Sequence, residues 1–293
     1  MIPYDKRSGK IWYNAELVDW QDVKLHVLSH GLHYASCVFE GERVYEGEIF
    51  KLEEHTSRFF YSAKRMGFEI PYTEKEINDA SKKIISVQNV KNGYVRPVAW
   101  RGSEMMAISA QQTKIHVAIA TWEWGSYFDP KLKVEGIRLN ISKWRRPAPD
   151  TIPWDTKAAG LYMICTLSKH EAEKNGYTDS LMLDHEGNVA EATGANVFFK
   201  DKDGILHTPT PDSFLDGITR RTVIEIAKSK NIKVVERKIK PEELSNFEGC
   251  FLTGTAAEVT PVSQIDKFNF KVCKTIIDLS DSYQLKVRKK KAA

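Results

Sequence analysis

A lysine, a glutamate and two turns of small and hydroxyl-bearing residues follow one another through the second half of this sequence. The lysine stands in a small, apolar setting, Thr156-Lys157-Ala158-Ala159-Gly160-Leu161-Tyr162. The glutamate precedes an apolar run, Ala190-Glu191-Ala192-Thr193-Gly194-Ala195-Asn196-Val197-Phe198-Phe199. Asp216-Gly217-Ile218-Thr219-Arg220 reads as a glycine-led helix start, and Thr253-Gly254-Thr255-Ala256-Ala257-Glu258 as a Gly-Thr turn. An amine nucleophile, a carboxylate and two anion-cradling turns are what an aldehyde coenzyme such as pyridoxal phosphate requires. Its aldehyde condenses with an amine, its ring nitrogen needs a partner, and its phosphate needs an anchor.

Each piece also has a plainer reading. An ammonium among alanines and glycine loses hydration, which lowers its pKa and makes the free amine accessible; otherwise Lys157 is a solvated lysine in the first turn of a helix. Glu191, expected just ahead of a strand, keeps a pyridine nitrogen protonated, or is a surface turn residue. The first amides after Gly217 lack internal partners and suit a phosphate; the alternative is a helix start capped by Asp216 or Thr219. Arg58, in Glu54-His55-Thr56-Ser57-Arg58-Phe59-Phe60, carries a fork that fits an anion. Tyr94 and Arg96 alternate along a strand and share one face. An arginine on such a buried strand demands an anionic partner, either a substrate carboxylate or a structural Asp or Glu. His30-x-x-His33 has no third ligand at a telling spacing, so it is taken as a structural pair and no metal is expected. Neither G-x-G-x-x-G nor a P-loop occurs, which leaves dinucleotide and nucleoside-triphosphate sites without support.

The elements that must position these groups follow from periodicity. Residues 55–66 place Phe59, Phe60, Ala63 and Met66 on one helical face, and 74–87 do the same for Ile77, Ala80, Ile84 and Val87. Strands are expected at 94–100, 114–121 and 136–142, then in short pieces at 180–184, 196–200, 205–208, 233–237 and 250–253. A helix is read from Thr156 to the stop at Asn175-Gly176, and another over 217–230. Clustered strands with segregated helices indicate an α+β fold. The turn-rich Gly125-Ser126-Tyr127-Phe128-Asp129-Pro130 suggests a boundary. The expected organisation is a smaller N-terminal α/β domain over 1–123, a linker over 124–135, and a larger coenzyme-binding domain over 136–293.

With 293 residues, 42% of them hydrophobic and 28% charged, the chain can bury a sizeable core and is too apolar for disorder. The net charge of +4 owes much to Lys286-Val287-Arg288-Lys289-Lys290-Lys291, read as a solvated tail. No aromatic–basic interleaving supports nucleic-acid binding. The four cysteines form no C-x-x-C pair, and Cys165 and Cys250 sit in apolar runs as small buried hydrophobes. A reducing compartment and, with no apolar signal core after Met1 and no run of membrane-spanning length, a cytoplasmic protein are expected.

Taken in order, the chain resembles a branched-chain aminotransferase of the class-IV (fold-type IV) pyridoxal-phosphate enzymes, a D-amino-acid-aminotransferase-like two-domain fold. The resemblance runs through His33-Tyr34, Val38-Phe39-Glu40-Gly41, Glu54-His55 to Arg58, Tyr94-Val95-Arg96-Pro97, Trp124-Gly125 and Ala148-Pro149-Asp150-Thr151-Ile152-Pro153. It continues through Lys157-Ala158-Ala159-Gly160, Tyr162, Ala190-Glu191, Leu215-Asp216-Gly217-Ile218-Thr219-Arg220 and the run from Thr253 to Val262. The spacing from Glu191 through Thr208 to Arg220 fits the class-IV signature.

The resemblance implies that Lys157 carries the coenzyme as an aldimine and later moves a proton between the substrate α-carbon and C4′. It implies that Tyr162 bonds the phenolic oxygen, that Glu191 pairs with the ring nitrogen, and that Arg58, Ile218, Thr219 and Thr255 hold the phosphate. Thr255 and Ala256, with Tyr94, would bind the substrate α-carboxylate. Phe39, Tyr34, Trp124 and Tyr127 would wall an aliphatic pocket, and Arg96, helped by Tyr34, would meet the distal carboxylate of glutamate. The implied reaction is ping-pong transamination of leucine, isoleucine and valine with 2-oxoglutarate by a homodimer or homohexamer. A D-amino-acid transaminase or aminodeoxychorismate lyase shares the lysine and phosphate sites. Two positions depart from the pattern: Trp154-Asp155 ahead of the lysine, where Asp155 would raise its pKa if it faced inward, and Ala195 in place of a frequent glutamate.

Overall fold

The computed structural model describes residues 2–125, 127–128 and 131–288. Ser126, Asp129 and Pro130 of the expected linker, and Lys289, Lys290 and Lys291 of the expected tail, lie outside the described residues. The described residues divide by their packing into two units, Met1–Gly125 with Thr156–Gly160, and Ser126–Asp155 with Leu161–Ala293. Residues 156–160 therefore pack with the first unit, although sequence position puts them beyond the expected linker. The cause is a pairing distant in sequence: Ala158 bridges Val38, and the Phe39 amide donates to the Lys157 carbonyl at 3.1 Å.

In the first unit, β-prone residues bounded by turns form a seven-stranded antiparallel sheet. From one edge it runs Glu16–Asp19, Lys10–Tyr13, Ile115–Glu123, Gly93–Arg101, Glu42–Tyr45 and Glu48–Ile49, with Cys37–Phe39 also paired to Gly93–Arg101. Alternation along Gly93–Arg101 separates Val95, Pro97 and Ala99 from Tyr94, Arg96, Val98 and Trp100. Two helices, Leu52–Arg65 and Glu74–Val87, pack with this sheet. The second is started by a capping box: Thr73 Oγ1 accepts from the Glu76 amide at 3.2 Å, and the Glu76 carboxylate accepts from the Thr73 amide at 2.7 Å.

The buried stripes differ in detail from their expected faces. Leu52–Arg65 buries Phe59 and Ala63 but also His55, Thr56 and Ser62, leaving Phe60 and Met66 half-buried. Glu74–Val87 buries Ile77, Ala80, Ser81, Ile84 and Ile85, while Val87 is exposed. Polar residues occupy inner positions in both helices, and an apolar count cannot detect those.

In the second unit a nine-stranded sheet closes on itself. Val189–Ala192 pairs with Asp179–Leu183 on one side and with Asn196–Lys200 on the other, through Glu191 opposite Asn196. Ile137–Arg145, Glu258–Ile265 and Gly249–Gly254 complete the ring, mostly antiparallel, with parallel pairings on both sides of Ile137–Arg145. One core cluster gathers Val197, Phe199, Leu252, Val262, Leu139 and Leu181. Residues of opposite parity, such as the stacked pair Phe198 and Phe251 at 5.0 Å, point the other way. Helices Ile218–Ser229 and Lys274–Val287 pack with these strands.

Three expectations are corrected here. The helix after the lysine is Met163–Lys174, entered through a tight turn at Ala159–Tyr162, so Lys157 lies in extended chain before it. Glu191 precedes the strand Asn196–Lys200 as expected, but it stands inside a short strand of its own, Val189–Ala192, and is buried rather than a surface turn residue. The start of the basic run, Lys286-Val287, ends the helix Lys274–Val287, where Lys286 pairs with Glu225 at 3.1 Å. Cys165 and Cys250 are buried as expected, and all four cysteines are free.

Glu42, in the first unit, is fully buried, and neither of its carboxyl oxygens has a hydrogen-bond partner. Burial, with the nearby Glu40 charge adding to it, lifts its pKa well above the ordinary carboxylate range. As pH rises past about 4.3 the unfolded chain ionises this group while the folded chain keeps it protonated, so its contribution to stability falls with rising pH. Glu42→Gln should remove that slope. In urea unfolding, the stability of the variant relative to wild type should grow from mildly acidic to mildly alkaline pH; a constant difference would show that Glu42 ionises normally in the fold.

Candidate active site

In the first unit the predicted residues gather around a carboxylate that sequence reading had not assigned a role. Glu40 is fully buried next to Gly41, where the chain leaves Cys37–Phe39 for Glu42–Tyr45. Arg58 Nε donates to its Oε1 at 2.6 Å, and Arg58 Nη2 to Oε2 at 3.0 Å. His55 Nδ1 lies 2.7 Å from Oε2, and the Gly41 amide donates to the same oxygen at 3.2 Å. Burial alone would raise the Glu40 carboxyl, but Arg58 and His55 outweigh it and hold the group below the usual carboxylate range. His55 moves down because burial disfavours its cation more than Glu40 favours it. Phe39-Glu40-Gly41 carried a signal for this hub: an acid following an apolar strand must find donors if it is buried.

Lys157 sits by this cluster. Its backbone amide donates to Ser62 Oγ at 3.0 Å, and its Nζ lies 5.0 Å from the centroid of the Phe39 ring. Desolvation pulls the amine below its ordinary pKa; Glu40 opposes that shift and Arg58 reinforces it. Asp155 is not among the groups acting on it.

Tyr94 and Arg96 share a face as expected, with Arg96 Nη2 donating to Tyr94 Oη at 3.4 Å. The Arg96 guanidinium lies over the Phe39 ring at 4.6 Å, and its Nε is buried without a partner. Among the described residues no Asp or Glu answers Arg96. Trp124 meets Tyr94 edge-on at 4.7 Å. A Cβ on Gly41 would fall 1.8 Å from Tyr94 Oη, so only glycine admits the tyrosine there. Tyr34 does not join this group within the chain: 41% exposed, it stacks on His30 at 4.5 Å. His30 Nε2 lies 2.8 Å from the Ala107 carbonyl, and His33 Nε2 lies 2.8 Å from that of Val27.

In the second unit, Glu191 is met by two side chains that the sequence did not single out. Arg146, itself buried, brings Nε to 3.4 Å from Glu191 Oε1, and Asn196 Nδ2 donates to Oε2 at 3.3 Å. Asn196 also reaches the glycine-led turn, accepting from the Gly217 amide at 3.1 Å. The helix Ile218–Ser229 begins there with no side-chain cap; Asp216 instead pairs with Arg220 at 2.9 Å. Ile218 and Thr219 are buried at that start.

Asn196 lies opposite Thr253 in the ladder, and Thr253 Oγ1 is buried without a hydrogen-bond partner. Thr255 and Ala256 follow in the turn joining Gly249–Gly254 to Glu258–Ile265. Tyr162 ends the tight turn ahead of Met163–Lys174, its carbonyl accepting from Thr166 Oγ1 at 3.1 Å. Tyr127 is exposed and meets Phe128 edge-on at 4.6 Å.

Residues 37–265 match the amino-transferase class IV family model. A probable branched-chain-amino-acid aminotransferase from Rickettsia conorii is 43% identical over 272 residues, 93% of this chain and 92% of that protein. The T.th. branched-chain amino acid aminotransferase, solved with pyridoxamine 5′-phosphate, superposes with a TM-score of 0.93 at 37% identity, covering 97% of this chain and 96% of that one. The branched-chain aminotransferase of Thermoproteus uzoniensis, solved with norvaline, gives a TM-score of 0.91 at 35% identity over 96% and 95% of the two chains. An α+β fold, a half-buried lysine of lowered pKa and a family match over most of the length agree: this chain belongs to the class IV aminotransferases.

Proposed function

We propose that this chain is a cytoplasmic, pyridoxal 5′-phosphate-dependent branched-chain-amino-acid aminotransferase. It exchanges the amino group of L-leucine, L-isoleucine or L-valine with 2-oxoglutarate in a ping-pong cycle. The observation that carries the reading is the desolvated Lys157 amine in the same unit as an arginine, Arg96, whose buried Nε has no protein partner. The names of the relatives support the substrate class, and the pyridoxamine 5′-phosphate of one solved neighbour supports the coenzyme. Among the described residues no helix is long and apolar enough to cross a membrane.

The residues fit the coenzyme on their own terms. The helix start at Gly217 lacks a side-chain cap, Thr253 leaves a buried hydroxyl without a partner, and Glu191 is buried yet braced as a carboxylate. When bound, pyridoxal phosphate supplies an aldehyde for amines and a ring that accepts the electron pair left at the substrate α-carbon. Lys157, its pKa lowered by desolvation, would serve as the nucleophile toward that aldehyde and as the group that moves a proton to and from the substrate α-carbon. Glu191 would hold the proton on the ring nitrogen, and Tyr162 would bond the phenolic oxygen. Arg58, the Ile218 and Thr219 amides and the Thr255 hydroxyl would hold the phosphate.

Tyr94 and the amides of Thr255 and Ala256 bind the α-carboxylate. Phe39, Tyr34, Trp124 and Tyr127 wall the side-chain pocket, where one methylene is worth only about 1–3 kcal/mol, so the three aliphatic substrates overlap. Arg96 answers the distal carboxylate of glutamate, which lets one site serve both half-reactions.

The enzyme is a homodimer or homohexamer in this reading. Leu25, Val27, Leu32 and Ile108 are each more than half exposed, and Tyr34 on the same stretch is exposed as well. Light scattering should give a particle at least twice the chain's mass; a monomer at working concentration rejects this part.

The assay that tests the function pairs L-leucine and D-alanine with 2-oxoglutarate. Turnover should be confined to L-leucine and fall by about 10²- to 10⁴-fold in Lys157→Ala, the worth of a proton-moving group. Activity on D-alanine alone would instead indicate a D-amino-acid transaminase. Arg96→Leu should slow the glutamate half-reaction about tenfold to a hundredfold more than the leucine half-reaction, since only glutamate loses a charged hydrogen bond. Equal loss in both halves would remove Arg96 from its role.

A further inference from the structure

We infer that Asn196 is a positioning residue whose one side-chain amide sets both the carboxylate that faces the coenzyme ring and the turn that holds its phosphate. The inference rests on the functional reading above, and its structural content is local to the second unit. Asn196 is buried at the point where the ring of strands closes, opposite Glu191 on one side and Thr253 on the other. Its Nδ2 donates to Glu191 Oε2 at 3.3 Å and to the Leu215 carbonyl at 2.9 Å, and its Oδ1 accepts from the Gly217 amide at 3.1 Å.

An amide has two N–H donors and a carbonyl acceptor, and all of these are engaged. The reverse orientation would set an oxygen against a carboxylate and a carbonyl, and an NH₂ against an amide, so the network selects one. A Cβ on Gly217 would fall 2.2 Å from Oδ1, which ties the glycine to the asparagine.

No other residue type does all of this. Alanine removes donor and acceptor alike. Aspartate keeps the acceptor toward Gly217 but, once ionised, sets a negative charge against Glu191 and the Leu215 carbonyl; protonated, it has one O–H and can serve only one of the two. Asn196 thus fixes Glu191 relative to Gly217, Ile218 and Thr219, and any spacing error between them falls on a ligand that must satisfy both.

The test titrates coenzyme-free, full-length protein with pyridoxal 5′-phosphate and follows tryptophan fluorescence from acid to alkaline pH. N196A should bind about tenfold to a hundredfold more weakly than wild type at every pH. N196D should bind closest to wild type at acid pH and weaken further, relative to wild type, as the introduced carboxyl ionises, a pH profile that a packing defect would not produce. N196A binding within about twofold of wild type, or N196D following the wild-type pH profile, overturns the assignment. Should N196A fail to fold, judged by thermal melting, the pH profile of the near-isosteric N196D decides. Wild-type protein that takes up no pyridoxal 5′-phosphate would instead reject the functional reading itself, and the Asn196 assignment with it.

Discussion

A carboxylate withdrawn from water must be met by donors, and the chemistry of the first unit follows from how Glu40 is met. Its two oxygens take Arg58 through two nitrogens, His55 and the Gly41 amide. Removing one member of such a set leaves a buried charge uncompensated, at a cost of about 3–5 kcal/mol, so the four groups stand or fall together. The helix Leu52–Arg65 is thereby fixed against the chain beside the sheet, and Arg58 is held by a second residue rather than by its own rotamer. Lys157 feels the balance of this cluster: Glu40 draws its proton on, Arg58 drives it off, and loss of water sets the direction, below the amine's ordinary pKa.

The second unit solves a related problem with secondary structure. Glu191 lies inside a strand that completes a closed ladder, where backbone pairing on both sides fixes it more tightly than a loop would. Arg146 steadies one oxygen and Asn196 the other. The same closure brings Thr253 opposite Asn196, so two strand ends and a helix start are referred to one asparagine.

Much of this was legible in the residues. Long periodic segments such as 74–87 gave helices at the stated bounds, and the apolar, branched runs around 94–100 and 114–121 gave paired strands. Tyr94 and Arg96 shared a face because a strand alternates, and the lowered pKa expected of Lys157 is present through loss of hydration. The short strand Val189–Ala192 was missed, since four residues between two turns carry too little periodicity to separate strand from turn. The helix after Lys157 was started too early, because a long-range bridge from Ala158 to Val38 holds that segment extended and local propensity does not encode such a bridge. Glu40, His55, Arg146 and Asn196 escaped for another reason: their importance lies in whom they meet, and their partners are distant in the chain or hidden by the ring closure.

Gly41 has a further meaning. The space its missing side chain leaves is already occupied by the phenol of Tyr94. Two positions more than fifty residues apart in sequence therefore share one volume, and neither can drift alone. A methyl group arriving at the first would evict the second, and a smaller ring at the second would open a void that the first could then fill. Variation here must come in matched pairs, which makes this corner of the molecule slow to diverge by single steps.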